Sequence, residues 1–357
     1  MKRQLCTVLS VLMLLAALSG CVQEETPKTG LAADFAVEIS GEGVEITLTA
    51  ADMQAREQET ITCTNIESSG NVNEVTVSGF SLRKVLDENG IVMDGLASIN
   101  LIAADGYSII VPSEYYAESD VYILLSFEGD NLEHPRSCLP DQRAMYWVRD
   151  LIKIELMGKN TVDETQKDIV SRIDIFREGV KELNAVTLSY MDLRIPAYSL
   201  KEYCEKYDIS LPQNTVTLRA RDGYEKVETA ESFLDNYVAL ESDNADDLPF
   251  YFSEEMKSGM SVKQLEYVIC GGNAVYFGFE TSVSGLFEAM GMAKADTYIF
   301  TAGDGFEVNI PYDAIEFGKI YADEKEGFIR AEFEGYDFGG AKGGGKVKYL
   351  VSIKAAQ

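Results

Sequence analysis

Thiols are the side chains of this sequence that are best suited to chemistry, and four of them lie in the body of the chain, at Cys63, Cys138, Cys204 and Cys270. A thiolate is a soft ligand for metal ions, and two neighbouring thiols can form a disulfide in an oxidising compartment. Four thiols allow three disulfide pairings. Free, paired and metal-binding cysteines therefore all stay open on sequence grounds.

Two further positions have informative neighbours. Cys270 is followed by Gly271 and Gly272, and paired glycines at a strand end would let a ligand approach the backbone closely. His134 is the single histidine of the 357 residues and stands beside Pro135. A histidine in that setting is either a hydrogen-bonded loop residue or a contact for a ligand.

The N-terminus has the pattern of an export signal. Lys2 and Arg3 precede an apolar run over residues 5–18, which is shorter than the roughly 20 residues that cross a bilayer. The run ends in Leu-Ser-Gly-Cys21, which resembles the lipobox of bacterial lipoproteins, in which the cysteine is acylated and the chain is cut before it. We predict a signal peptide over residues 1–20, a lipid on Cys21, a polar tether over residues 21–33, and attachment to the outer face of the cell membrane.

The composition is that of a globular, strongly acidic protein. Hydrophobic residues make up 46% and charged residues 25% of the chain, and the formal net charge is −28. A surface this acidic repels phosphate backbones, so the sequence predicts no nucleic-acid partner. The predicted partners are the membrane, through the lipid, and a small ligand or protein.

Three segments repeat the same order of parts. In each, a serine opens a short helical pattern, and a β-rich run ending in Asp-Gly-aromatic follows. From Ser81, Ser199 and Ser282 to Asp105, Asp222 and Asp304 the separations are 24, 23 and 22 residues. Serine is a good N-cap, and Asp-Gly between strand-forming residues favours a hairpin turn. Strand-like segments at residues 151–156, 265–269 and 349–353 close the repeats. Cys204 falls on the apolar face of the second helix, so we expect it in the core.

Several runs before residue 158 match the pattern of a known family. They are ITCTN around Cys63, GFSLRKVL from Gly79, AADGY from Ala103, and EGDNLEHPRSCLPDQRAMYWVRDLIKIEL from Glu128. Together they resemble the molybdopterin-binding domain of the sulfite oxidase family. The resemblance implies a molybdenum-molybdopterin cofactor and an oxidoreductase, with Cys63 as metal ligand and His134 and Arg136 near pterin-phosphate or anion contacts. It extends more weakly over residues 184–357, where Cys270 begins a Cys-Gly-Gly-Asn run similar to the family's C-x-G-N-R.

The sequence also departs from that family. The basic residue after the asparagine is replaced by Ile66 and by Ala274, and Asp141 stands where the family has a glycine. A molybdenum site needs a thiolate and basic groups that hold the pterin phosphate. We therefore predict no organised arginine pocket around Cys63 or Cys270. Cys63 would then be a buried thiol or bonded to Cys138.

The pattern of many short strands, three short helices and Asp-Gly turns predicts an α+β fold dominated by β, built from tandem repeats of a sulfite oxidase-like molybdopterin-binding fold. We predict a first unit over residues 34–158, a second repeat over 169–270 and a third over 271–357. The second and third repeats either are separate or form one composite domain. Two functions follow. One is a non-catalytic binding lipoprotein, and the other is a molybdopterin-dependent oxidoreductase that acts outside the cytoplasm.

Overall fold

The computed structural model describes residues 30–67, 69–117, 119–158, 169–211, 215–278, 280–323, 325–339 and 345–356. The predicted signal peptide, Cys21 and most of the tether lie outside these ranges, as does the charged connector after residue 158. Among the described residues, no helix is long and apolar enough to cross a membrane.

The first unit consists of two five-stranded sheets that enclose one apolar core. The first sheet has the order β2-β1-β10-β5-β6, with β1 Ala36–Gly41, β2 Val44–Thr49, β5 Leu96–Ala103, β6 Ser108–Pro112 and β10 Leu151–Gly158. The second has the order β8-β7-β4-β3-β9, with β3 Glu59–Ile66, β4 Val72–Ser81, β7 Tyr122–Phe127, β8 Asp130–Cys138 and β9 Gln142–Arg143.

The second and third repeats share one eight-stranded sheet. Its order is β15-β14-β18-β19-β11-β26-β21-β22, with β11 Arg172–Ile175, β14 Thr215–Ala220, β15 Glu225–Thr229, β18 Leu265–Cys270, β19 Asn273–Tyr276, β21 Thr297–Ala302, β22 Glu307–Pro311 and β26 Leu350–Ala355. Each repeat adds a four-stranded sheet. The sheet of the second repeat has the order β12-β13-β16-β17, with β12 Val186–Tyr190, β13 Leu193–Ser199, β16 Tyr237–Ala239 and β17 Phe250–Phe252. The sheet of the third repeat has the order β20-β23-β24-β25, with β20 Glu280–Ser282, β23 Gly318–Ala322, β24 Ile329–Phe333 and β25 Lys346–Lys348.

The eight-stranded sheet joins the two repeats by exchange of their first strands. β19 of the third repeat pairs with β18 of the second, and β11 of the second pairs with β26 of the third. Successive side chains of a strand point to opposite faces. In β19, Ala274 and Tyr276 face the third repeat's core, whereas Val275 faces that of the second. The two repeats therefore bury opposite faces of the same sheet.

Within the ranges described above, six short α-helices accompany the strands: α1 Ala50–Ala55, α2 Leu82–Glu88, α3 Phe176–Gly179, α4 Leu200–Lys206, α5 Ala230–Leu234 and α6 Val283–Met290. Three of them begin at the predicted serines. The hydroxyls of Ser81, Ser199 and Ser282 accept from the backbone N–H three residues later, at 3.0, 3.3 and 3.1 Å. These N-caps satisfy donors that the first helical turn leaves unpaired.

The three Asp-Gly turns have the same hydrogen bonds. In the first, the Gly106 N–H donates to the Ala103 carbonyl at 3.0 Å, and the Tyr107 N–H donates to the Asp105 carboxylate at 2.9 Å. Gly106, Gly223 and Gly305 have φ angles of 88°, 83° and 83°, which a glycine adopts without steric cost. The predicted turns, the three helices and the dominance of β structure are confirmed.

Candidate functional site

Cys63 lies in the middle of β3, opposite Val75 of β4. Burial alternates along this strand: Cys63 and Asn65 are buried, whereas Thr64 and Ile66 are only half-buried. This alternation turns the Cys63 side chain into the first unit's apolar core, where it is 7% exposed. Its sulfur thus points away from the face that carries the Ile66 side chain.

The Cys63 thiol shares a hydrogen bond with the thiol of Cys138. This bond lowers the pKa of Cys63, while burial and the Asp141 carboxylate raise it. The pKa of Cys138 is raised, first by burial and then by the same bond. Both cysteines are free thiols, and the charged group that acts on the Cys63 sulfur is an anion.

Asp141 closes this part of the sheet. Its carboxylate accepts from the Thr64 N–H at 2.9 Å and from the Thr64 hydroxyl at 2.7 Å, and its own N–H donates to the Thr64 carbonyl at 3.0 Å. Asp141 has a φ of 61°, a left-handed conformation that favours glycine. Asp141 therefore combines a glycine-like backbone conformation with a side-chain clamp on β3.

Arg136 lies near Cys138, and its positive charge lowers the pKa of that thiol against burial. Its guanidinium lies 4.9 Å from the Phe127 ring centroid and 5.7 Å from that of Trp147, two rings that meet edge to face. Its Nε donates to the Trp147 carbonyl at 3.2 Å. Burial lowers the pKa of Arg136 to about 10. Stacking and hydrogen bonding thus hold this arginine in a structural position.

His134 lies apart from the thiol pair. Its ring stacks on Phe35 with a centroid separation of 4.6 Å, and its Nδ1 lies 3.0 Å from an Asp150 carboxylate oxygen. These contacts connect the start of the first unit to the turn before β10. The histidine is therefore a hydrogen-bonded residue of the sheet edge in this arrangement.

Cys270 and Cys204 lie in the second repeat's core, 2% and 5% exposed. The Cys270 thiol donates to the Thr215 carbonyl at 3.5 Å. Burial raises the pKa of Cys204 to about 12. The prediction that Cys204 belongs to the core is confirmed, and Cys270 lies beside it on the same side of the shared sheet.

A cleft of about 540 Å³ opens between the first unit and the second repeat, where two Asp-Gly-Tyr turns face each other. We call it the inter-turn cleft. Its lining includes Ile66, Tyr107 and Arg143 from the first unit and Tyr224 and Lys263 from the second repeat. Ile66 and Arg143 are register partners in β3 and β9, so an arginine of the next strand lies beside the position where the family's basic residue is absent.

The two tyrosines of the inter-turn cleft are half-buried. The Tyr107 hydroxyl donates to the Met145 carbonyl at 3.1 Å. Burial, followed by the charge of Glu228, raises the pKa of Tyr107 to about 12. Burial also raises the pKa of Tyr224, while Arg143 opposes this shift. Both tyrosines are therefore neutral at pH 7 and present rings and hydroxyls to the cleft.

A buried ion pair supports the second-repeat wall of the cleft. Lys226 and Glu228 of β15 are 1% and 7% exposed, and Lys226 Nζ lies 2.5 Å from Glu228 Oε1. Lys226 Nζ also donates to the Met260 carbonyl at 2.6 Å. Gly259 of the same loop borders the Tyr107 ring, where a Cβ would come within 3.4 Å of a ring carbon. The pair thus ties the cleft loop to the sheet.

The surroundings of Cys63 do not fit a molybdenum-pterin group. A ligating thiolate needs open space for the metal, and the pterin phosphate needs basic donors. The sulfur is instead buried, hydrogen-bonded to the Cys138 thiol and faced by Asp141, and Arg136 packs against the Phe127 and Trp147 rings. Within the described ranges, no three or more His, Cys, Asp or Glu residues are grouped so that they could hold a metal ion.

Sequence reasoning missed the inter-turn cleft, although it found both turns. Arg143 and Lys263 stand in unrelated parts of the sequence, and each alone resembles a solvated surface charge. One signal in the sequence could have indicated the cleft: two of the three turns have the sequence Asp-Gly-Tyr, ending at Tyr107 and Tyr224, whereas the third is Asp-Gly-Phe, ending at Phe306. It marks the two turns that meet.

Neither a protein-family model nor a curated protein matches the sequence. The structure is similar to the crystal structure of the sulfane dehydrogenase SoxCD from Paracoccus pantotrophus, with 13% sequence identity and a TM-score of 0.34. The similarity covers 84% of this chain and 70% of that chain. So distant a likeness carries no conclusion about fold or activity.

Proposed function

We propose that this chain is a lipid-anchored, extracytoplasmic binding protein with degenerate sulfite oxidase-like molybdopterin-binding domains, and that it binds a small ligand in the inter-turn cleft without catalysing a reaction. One observation carries this proposal. The Cys63 sulfur is turned into the core and hydrogen-bonded to the Cys138 thiol, whereas the cleft opens on other residues, between Tyr107 and Tyr224. Clefts between domains are common ligand sites, and this volume suits a small molecule.

The site residues inferred from the family resemblance support a structural reading. Cys270 donates to a backbone carbonyl inside a core, His134 forms a hydrogen bond with Asp150, and Arg136 packs against two aromatic rings. Each of these side chains already has a partner in the fold. A bound cofactor would have to displace those contacts.

Metal and pterin analysis of protein purified from its native host tests the non-catalytic part of the proposal. We expect molybdenum well below one atom per chain in the wild type and the same value in Cys63→Ser. Stoichiometric molybdenum that disappears in Cys63→Ser would restore the molybdopterin-dependent oxidoreductase. The matched control is Cys204→Ser, a buried thiol that the family resemblance does not assign to the metal.

The anchor is proposed from the sequence at Cys21, with attachment to the outer face of the cell membrane. Cys21→Ala should leave the precursor uncleaved at that site and without lipid. Labelling of cells with a fatty-acid analogue measures this, with Cys63→Ala as the control that keeps its label. Unchanged labelling of Cys21→Ala would refute the anchor.

We also propose the division into a first unit over residues 34–158 and a composite domain over residues 169–357. The strand exchange between β11 and β19 supports treating the second and third repeats as one folding unit. Limited proteolysis should cut first between residues 158 and 169. A stable fragment that ends near residue 270 would contradict the composite domain.

A further inference from the structure

We infer that the inter-turn cleft selects a small anion with an aromatic or apolar body, such as an aromatic carboxylate or sulfonate. This inference rests on the proposed function and adds the chemical class of the ligand. Its basis is the juxtaposition of Arg143 and Lys263 with the rings of Tyr107 and Tyr224 in one cleft of about 540 Å³.

The charge of the lining is opposite to that of the protein. The chain has a net charge of −28, yet the cleft is lined by the cations Arg143 and Lys263 and by one carboxylate, that of Asp222. The Asp222 carboxylate already accepts the Tyr224 N–H at 2.8 Å. Lys263 forms an ion pair with Asp247, so the charge that can attract an anion into the cleft is that of Arg143, on a protein whose acidic surface repels anions elsewhere.

Arg143 is the anion-binding group in this arrangement. It is exposed at the end of β9, and in the described part of the chain its guanidinium has neither a hydrogen bond nor an ion pair. An arginine offers a planar fork of donors that binds carboxylate, sulfonate or phosphate oxygens in pairs. Lys263 has its own partner, Asp247, at 3.0 Å, and contributes a second, weaker attraction.

The remaining lining suits the body of such a ligand. Tyr107 and Tyr224 present rings to the cleft, and Ile66, Ala144 and Met145 add apolar surface on the first-unit side. Aromatic side chains offer large contact area with little loss of conformational entropy. A hydrophilic anion such as free phosphate would leave this apolar surface unused.

A pair of matched fluorescent probes tests the inference on the purified mature protein. Anilinonaphthalene sulfonate is an aromatic anion, and phenylnaphthylamine has the same rings without the sulfonate. We expect the anion to bind more tightly, and Arg143→Gln to weaken it about tenfold or more, as loss of a charge-assisted hydrogen bond does. Arg143→Gln should change binding of the neutral probe less than about twofold.

Two controls separate the possible outcomes. Arg194→Gln removes an equally exposed arginine from β13 and should leave both probes unaffected. Ala144→Phe fills the cleft and should weaken both probes, with its melting temperature measured to show that the variant folds. If Ala144→Phe weakens both probes but Arg143→Gln changes neither, the anion inference fails and the proposed function survives. If a folded Ala144→Phe weakens neither probe, the inter-turn cleft is not a ligand site and both proposals fail.

Discussion

Cys63 and Cys138 share a hydrogen bond between their thiols, although they lie on β3 and β8, which are not neighbours in their sheet. The sheet curls so that the end of β8 returns to β3, where Asp141 clamps Thr64. Two free thiols held together are suited to oxidation in an oxidising compartment. A molybdenum ligand, by contrast, requires an unshared thiolate.

The first prediction is that these two thiols form a disulfide when the protein refolds in the presence of oxidised glutathione, since both are buried in the folded state. The thiolate of Cys63 attacks the glutathione disulfide and releases one reduced glutathione. Cys138 then attacks the mixed disulfide and releases the second. Peptide mapping by mass spectrometry should join residues 63 and 138. In Cys138→Ala the reaction should stop at the mixed disulfide, and a wild-type protein in which neither cysteine is oxidised would refute the prediction.

The second prediction concerns the Asp-Gly turns. Gly106→Val, Gly223→Val and Gly305→Val should each lower the free energy of unfolding by more than about 1 kcal/mol, because β-branched residues tolerate positive φ poorly. A Cβ at these three positions would meet nothing within 4 Å, so the loss reports backbone conformation alone. Gly95→Val is the matched control, since its site is equally open but has no positive φ. Urea unfolding curves that coincide with the wild type would contradict the account of the turns.

Local signals explain why the sequence predicted these elements. Asp105 and Gly106 form a turn through contacts within five residues, and Ser81 caps a helix through a bond to a residue three positions later. Such interactions join residues that are close in the chain, so the local sequence is enough to predict them. The three repeats could therefore be aligned without any knowledge of their packing.

The candidate site could not be predicted in the same way. Arg143 and Lys263 meet only because the first unit and the second repeat dock at their turns. The strand exchange of β19 likewise depends on which strand lies beside it, and hydrophobic periodicity does not specify the partner. For Cys63 the absent basic residues did favour a buried thiol or a disulfide with Cys138, but the hydrogen bond between the two thiols depends on the curl of the sheet.

The third prediction concerns the pH dependence of the Asp141 clamp. The hydrogen bonds from the Thr64 hydroxyl and N–H lower the pKa of Asp141 in the folded protein. A lowered folded-state pKa contributes stability that is present above the unfolded value of about 3.9 and is lost as the pH falls through the folded value. Asp141→Asn should therefore be less stable than the wild type at pH 7, and the difference should shrink below about pH 4.

Urea unfolding of both proteins at several pH values between 7 and 3 measures this effect. Asp130→Asn is the control, because Asp130 is exposed at the start of β8 and its side chain has no hydrogen bond among the described residues. Asp130→Asn should change the free energy of unfolding little, and that change should not follow the pH dependence expected for Asp141→Asn. A stability difference for Asp141→Asn that is constant over the whole range would mean that the charge of the carboxylate plays no part.

The last prediction concerns the buried pair of Lys226 and Glu228 beneath the inter-turn cleft. Burial lowers the pKa of Lys226, and the charge of Glu228 opposes that shift. Lys226→Met leaves Glu228 as a buried charge without its cation and should destabilise the protein by about 3–5 kcal/mol. The double variant with Glu228→Gln removes that charge, so we expect it to recover part of the loss. Urea unfolding of the wild type, both single variants and the double variant completes the cycle. Strictly additive losses would show that the two side chains do not interact energetically despite the 2.5 Å separation of Nζ and Oε1.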